Sequence, residues 1–351
     1  MIPHSRPSLD AQDRAALLSV LESGHLSQGK EVARFEDELA SFIGSGTGVA
    51  VSSGTAALHL SLIALEVGIG DEVILPSYVC PAILNAVHYV SATPVLADID
   101  PRTFNMDAQS VRRRITAKTK AVILPHMLGL AADVDEFISL GVPIIEDCAL
   151  SVGGDYKGRH LGSFGALSVF SFYATKMLSA GEGGMVLCND EALAESVRDL
   201  RDYDEKADYR VRYNYKMTDL QAALGISQLK KLPFFIERRR IIADRYRRLL
   251  ETVGLSPPFV PEGCGHVFYR YVVLMEQADE FLAWMNRRGV ECRRPVFRPL
   301  HHYLGLAGYP CTEEVHRRAV SIPIYPSLTD AETMEITQDI KEFCRRWKSP
   351  L

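Results

Sequence analysis

Long apolar runs are missing from this 351-residue chain. No stretch approaches the ~20 apolar residues that a bilayer-spanning helix needs, so no membrane partner is expected. The opening residues Met1-Ile2-Pro3-His4-Ser5-Arg6 lack the apolar core of a secretory signal. An excess of one charge is also missing. The formal net charge is −5, with acids and bases interleaved. A nucleic-acid partner, which favours a basic face, is therefore not expected. The basic runs Arg112, Arg113, Arg114 and Arg238, Arg239, Arg240 read as solvated helix faces. Closely spaced cysteines are absent as well. The seven, Cys80, Cys148, Cys188, Cys264, Cys292, Cys311 and Cys344, are odd in number and scattered. That spacing argues against a disulfide framework and a cysteine zinc site, so no metal is expected. A cytoplasmic location fits best.

What is present is alternation. Short apolar runs at residues 48–52, 72–76, 94–98, 121–125, 142–145, 167–172 and 185–187 alternate with helical patterns such as 55–66 and 81–90. Near-continuous apolar strands separated by helices predict an α/β fold, a mostly parallel seven-stranded sheet covered on both faces. Residues 218–250 form a long periodic stretch, with Pro233 as an expected break. Glycine and proline cluster over 254–265. We place a domain junction there, giving a large domain over 1–250 and a smaller α+β domain over 251–351. In the tail, 266–275 reads as a strand and 280–288 as a helix. Thr329 and Glu332 have capping-box spacing before a terminal helix to about 347.

Chemistry-bearing residues fall at the ends of the predicted strands. Ser52-Ser53-Gly54-Thr55 joins the first strand to a helix, where free N–H groups favour an anion. Either a phosphate cradle or a plain helix cap fits these residues alone. Asp147 ends the run Ile144-Ile145-Glu146-Asp147. Lys176 follows Phe170-Ser171-Phe172-Tyr173-Ala174-Thr175 and precedes Gly181-Glu182-Gly183-Gly184. An aspartate at one strand end and a lysine after the next are what a pyridoxal 5'-phosphate site needs. The lysine amine holds the cofactor covalently and later moves protons. The carboxylate keeps the pyridine nitrogen protonated, since a close opposite charge raises its pKa. Ser171 is placed to donate to the phosphate. His126 follows a strand end and suits a structural hydrogen bond. His301 and His302, in a predicted loop of the small domain, are candidate substrate contacts.

Taken in order, these residues resemble the DegT/StrS-type sugar-nucleotide aminotransferases. The likeness extends to Tyr213-Asn214-Tyr215-Lys216-Met217-Thr218-Asp219, to His126, Gly129 and Asp133, to Arg298-Pro299-Leu300-His301, and to Ile322-Pro323-Ile324-Tyr325-Pro326. It covers nearly the whole chain. The resemblance implies a fold-type-I pyridoxal-phosphate enzyme acting as a homodimer with shared active sites. Lys176 would carry the cofactor, Asp147 would pair with the ring nitrogen, and Gly54, Thr55 and Ser171 would hold the phosphate. Asn214 would reach the partner subunit's cofactor, and Tyr325 would join His301 and His302 on the substrate side. The implied reaction moves an amino group from an amino-acid donor, usually glutamate, to a keto-sugar on a nucleoside diphosphate, in glycan or secondary-metabolite synthesis. Two positions depart from the family pattern. Cys80 stands where an aromatic residue usually stacks on the ring, and Leu150 where Gln or His usually approaches the ring hydroxyl. Three rival readings are a sugar dehydratase, which usually replaces the lysine; a cysteine desulfurase using Cys292 or Cys311; and a non-catalytic cofactor-binding regulator.

Overall fold

The protein is described by a computed structural model over residues 1–348. Its strands are β1 (Thr47–Val51), β2 (Glu72–Pro76), β3 (Thr93–Ala97), β4 (Thr119–Pro125), β5 (Ile144–Asp147), β6 (Asp155–Tyr156), β7 (Arg159–His160), β8 (Leu167–Ser171), β9 (Gly184–Cys188), β10 (Tyr271–Leu274) and β11 (Ala319–Ile322). The helices of the first half are α1 (Ala11–Ser23), α2 (Lys30–Ile43), α3 (Gly54–Ala64), α4 (Pro81–Tyr89), α5 (Ala108–Arg112), α6 (Val134–Ile138) and α7 (Glu191–Leu200). Then come α8 (Asp219–Val253), α9 (Ala278–Arg287), α10 (Leu300–Leu304), α11 (Pro310–Arg318) and α12 (Asp330–Lys348).

Seven strands form one sheet in the order β1-β9-β8-β5-β4-β2-β3. Four neighbouring pairs are parallel, and β9 runs antiparallel to both β1 and β8. The expected mostly parallel α/β sheet is therefore present. Its strands are Val-, Ile- and Leu-rich because both faces are covered. Separate apolar clusters pack on the two faces; Leu75 and Ile145 lie in one, Ile74 and Ile144 in another. The carboxyl ends of β1, β2, β4, β5 and β8 share one edge, where open α/β sheets place their ligands.

The helix starts follow from local chemistry. Thr218 and Gln221 form a reciprocal capping box on α8, and Asp190 caps α7. Thr329 and Glu332 exchange the expected capping bonds before α12. The predicted break at Pro233 does not occur, and α8 runs through it. An interior proline costs about 3 kcal/mol. Here Leu229, Leu232, Phe235 and Ile236 around it are all buried, so packing holds the helix across the lost N–H.

The first part of α8 packs on α1 and α2. Its later residues Ile242, Tyr246, Leu249 and Leu250 join Ile2, β10, β11, α9 and α12 in a separate apolar cluster. The strand expected over 266–275 is shorter, Tyr271–Leu274. One basic run also departs from expectation. Arg239 is buried, and its Nη1 donates to the carbonyls of Phe268 (3.0 Å), Tyr269 (3.3 Å) and Ile324 (2.8 Å). It ties α8 to the segments around Phe268 and Ile324 instead of facing water. Among the described residues no helix is long and apolar enough to cross a membrane.

A candidate cofactor and active site at the strand ends

Two glycines bring three strands together at the sheet edge. A Cβ on Gly184 would lie 2.4 Å from the Ser53 carbonyl oxygen, and one on Gly54 would lie 2.8 Å from the Ser171 Cβ. Only their absence lets the β1–α3 turn press onto β8 and β9. Ser53 caps α3, its hydroxyl accepting the Ala56 N–H at 3.1 Å. Ser52 donates its N–H to the Tyr215 carbonyl at 2.7 Å, fastening the turn from the other side. Gly54, Thr55 and Ser171 thus converge at a helix N-terminus that favours an anion. Beside them opens a cleft of about 550 Å³ lined by Ser53, Thr55, Cys80, Asn85, Tyr89 and Tyr215, among others.

Asp147 ends β5 on the same edge. Its Oδ1 accepts the Ala149 N–H at 3.0 Å. Burial raises its pKa; the Ala149 bond and the charges of Lys176 and His126 oppose this without cancelling it. A buried carboxylate held up in this way lacks a contacting cation, which a protonated pyridine nitrogen would supply. Lys176 lies half-buried in the loop after β8. That loop is pinned at its neck by Phe172 N–H to Gly183 O (2.8 Å) and Ala174 N–H to Gly181 O (2.9 Å). The Lys176 Nζ lies over the Tyr269 ring, 5.6 Å from its centroid. Burial works to raise the Tyr269 phenol pKa, but Arg270, Lys176 and a Thr175 hydrogen bond bring the net shift down. Cys80 connects the pair. Its side chain is open to the cleft, yet surrounding protein raises the thiol pKa, with Lys176 pulling it down and Asp147 pushing it up. Asp147, Lys176 and Cys80 therefore share one electrostatic neighbourhood. A glycine-lined anion cradle, an under-compensated carboxylate and a lysine fit pyridoxal phosphate.

The remaining candidates divide. Leu150 is half-buried between two apolar clusters. Asn214 is exposed, between Tyr213 and Tyr215, whose rings stack at 5.1 Å. His301 and His302 sit on helix α10 rather than in a loop. His301 is buried, with Nδ1 at 2.5 Å from Ser77 Oγ and Nε2 at 2.9 Å from Glu313. Tyr325, expected on the substrate side, is instead fully buried in the apolar cluster around β10, β11, α9 and α12. Its ring completes that core, so it offers no surface to a substrate. His126 is structural: Nδ1 accepts the Ala132 N–H at 3.1 Å, leaving Nε2–H to donate to Glu146 at 3.1 Å. Cys292 is buried in that same apolar cluster, which raises its thiol pKa strongly, and Cys311 opens α11 beside Asp98. Neither lines the cleft, which removes the basis for a desulfurase. Sequence reasoning missed Tyr269, Asn85 and Tyr89. Nothing in the strand-like run around Tyr269 distinguished it from core.

Comparison with known proteins follows the same lines. The model of the DegT/DnrJ/EryC1/StrS aminotransferase family matches residues 7–341. The GDP-perosamine synthase of Vibrio cholerae is 34% identical over 98% of this chain and 99% of its own. The spore coat polysaccharide biosynthesis protein SpsC of Bacillus subtilis (strain 168) is 35% identical over 98% of this chain and 97% of its own. The crystal structure of the aminotransferase TlmJ from Streptoalloteichus hindustanus superposes with a TM-score of 0.95 at 33% identity, covering 99% of this chain and 100% of that one.

Proposed function

The chain belongs to the DegT/DnrJ/EryC1/StrS aminotransferase family, whose members use pyridoxal phosphate, and from that premise we propose that it transfers an amino group from glutamate to a nucleotide-linked keto-sugar. The GDP-perosamine synthases among its relatives make a GDP-linked keto-sugar the first acceptor to try. The kinship with a spore coat polysaccharide protein supports a glycan setting. The observation that carries the reading is the pairing of Asp147 and Lys176 beside the glycine-lined turn.

When bound, the cofactor supplies an electron sink for the carbon from which a proton is removed. The protein does the rest. Thr55, Ser171 and the α3 N–H groups would hold the phosphate. Asp147, kept from water, would hold a fixed negative charge toward the ring nitrogen. The Lys176 Nζ, steadied over Tyr269, would take up and return the proton at the reacting carbon. The open cleft past Cys80, Asn85 and Tyr89 gives the donor and the sugar successive access.

A second copy completes the site in this reading. Exposed Asn214, on a segment bridged to β1 through Val51 and Lys216, faces outward, as a residue serving a neighbour's phosphate would. We assign the protein to the cytoplasm, on cysteines scattered along the sequence with no disulfide-framework spacing. The residue division 1–250 and 251–351 is our working boundary, with the end of α8 packed on the small unit.

Purified protein loaded with the cofactor should show visible absorbance that glutamate bleaches and a GDP-linked keto-sugar restores. Failure to bind the cofactor would overturn the assignment. Failure of the sugar alone would redirect the search to other nucleotides. Subunit sharing has its own test. Lys176→Ala and Asn214→Ala chains, each poorly active, are refolded together. About a quarter of the sites should regain full activity, because half of a random mixture is mixed dimers with one intact site each. No recovery would place Asn214 in its own subunit's site or outside it.

A further inference from the structure

A second cluster of chemistry-bearing side chains lies outside the cofactor site. His301 and His302 come from α10, and Glu313 and His316 from α11. Three of the four already converge: ligand atoms of His301, His302 and Glu313 all lie within 4.8 Å of one another. Both Nε2 atoms approach one oxygen, Glu313 Oε1, at 2.9 and 2.8 Å. Glu313 and His316 are three apart on one helix and so share a face. The His316 ring is 5.7 Å from that of His302, and its Nδ1 is buried without a hydrogen-bond partner. A buried ring nitrogen without a hydrogen-bond partner, on a ring beside that of His302, needs a reason.

We propose that His301, His302 and Glu313, with His316 adjoining, form a site for a divalent transition metal of the zinc type. Two imidazoles and one carboxylate are a known three-ligand set for zinc, with a fourth position left to water or a further ligand. Borderline nitrogen donors with only one carboxylate disfavour calcium and magnesium. The outer contacts suit a ligand too. A metal on His301 Nε2 requires its proton on Nδ1, and Ser77 Oγ stands 2.5 Å away to accept it. Metal-bound histidines usually donate their other N–H in this way. Nearby positive charge is already occupied. Arg294 donates to Asp279 and to the carbonyls of His316, Arg317 and Ala319, and Arg298 donates to the His302 carbonyl. Glu313 is half-exposed and His302 about a third exposed, so the ion has a way in.

The site would join two parts of the molecule. Ser77 follows β2, three residues before Cys80 at the cleft, and accepts the Leu300 N–H at 2.8 Å. A bound ion would fasten α10 and α11 to that turn. The inference is independent of the amino-transfer reading.

The test uses the tag-free, full-length, cofactor-loaded protein, stripped with chelator. Equilibrium dialysis against Zn²⁺ with elemental analysis should give one ion per chain. Co²⁺ should give a visible d–d spectrum that Zn²⁺ abolishes. Glu313→Gln and His302→Ala, both at open positions, should each weaken Co²⁺ binding at least about tenfold while the cofactor spectrum stays unchanged. Buried His301 is left intact because its replacement could disturb folding. Absence of stoichiometric Zn²⁺, or equal Co²⁺ affinity in parent and both variants, overturns the proposal.

Discussion

Glu146 and Asp147 are neighbours on β5, are both buried, and face opposite sides of the sheet, yet their carboxyl groups are perturbed in opposite directions. On the Glu146 side, burial works to raise the pKa, but His126 and backbone N–H groups overcome it and the net shift is downward. The N–H groups of Gly162 (2.8 Å), Phe164 (2.7 Å) and Gly165 (2.7 Å) all point at this carboxylate. On the Asp147 side one N–H is supplied, and burial wins. The difference separates scaffold from site. A carboxylate whose acceptors are filled by its own fold holds the fold together. One left short of donors and of a cation has capacity for a ligand.

The comparison can be broken from either side. The largest effect should come from the site's lysine: Lys176→Ala should abolish turnover in a steady-state assay while leaving the melting temperature of cofactor-free protein nearly unchanged. Asp147→Asn comes next. It should cost at least about a hundredfold in kcat, on the scale of a removed electrostatic stabiliser. Cofactor-free protein with this change should melt no lower than the parent, because Asn keeps the Ala149 bond and removes a buried charge. Glu146→Gln should do the reverse. It leaves converging N–H groups facing an amide and should cost about 3 kcal/mol in denaturant unfolding, with the surviving folded fraction still binding cofactor.

The pH dependence carries the same contrast. Glu146 has a depressed folded pKa, so its stabilisation is present above its unfolded pKa and lost as pH falls through the folded value. Asp147 has a raised folded pKa, so its contribution is present at low pH and lost as pH rises through the folded value. Glu146→Gln should therefore flatten the acid limb of the stability profile of cofactor-free protein. Asp147→Asn should remove the loss on the rising side. The smallest effect is expected at Cys80. Restoring an aromatic with Cys80→Phe should tighten cofactor binding by about 1 kcal/mol, roughly fivefold, if a ring stacks there. Fluorescence titration with pyridoxal phosphate would measure it.

How legible the protein was in its sequence depends on where the determining interactions lie. The sheet was readable because buried parallel strands must be apolar throughout, and Asp147 and Lys176 stand at the ends of such runs. The turn at Gly54 was readable as a cradle or a cap, but not which. That depended on Gly184, 130 positions on, closing against it. Contacts between segments distant in the chain were not legible. Arg239 looked like one more charge on a basic face, and Tyr269 like part of a strand. Pro233 was misread because a local rule was outweighed by burial on both sides of it. Tyr325 was assigned through the family likeness alone, and its setting in the core corrected that.

The central claim is that Lys176 is the residue to which the cofactor is joined. Borohydride reduction of the pyridoxal-phosphate-loaded protein, followed by proteolysis and peptide mass analysis, tests it directly. The account predicts one stable phosphopyridoxyl group per chain, on the peptide containing Phe172 to Gly181 and on Lys176 within it. A label on any other lysine, with Lys176 unmodified, would contradict it.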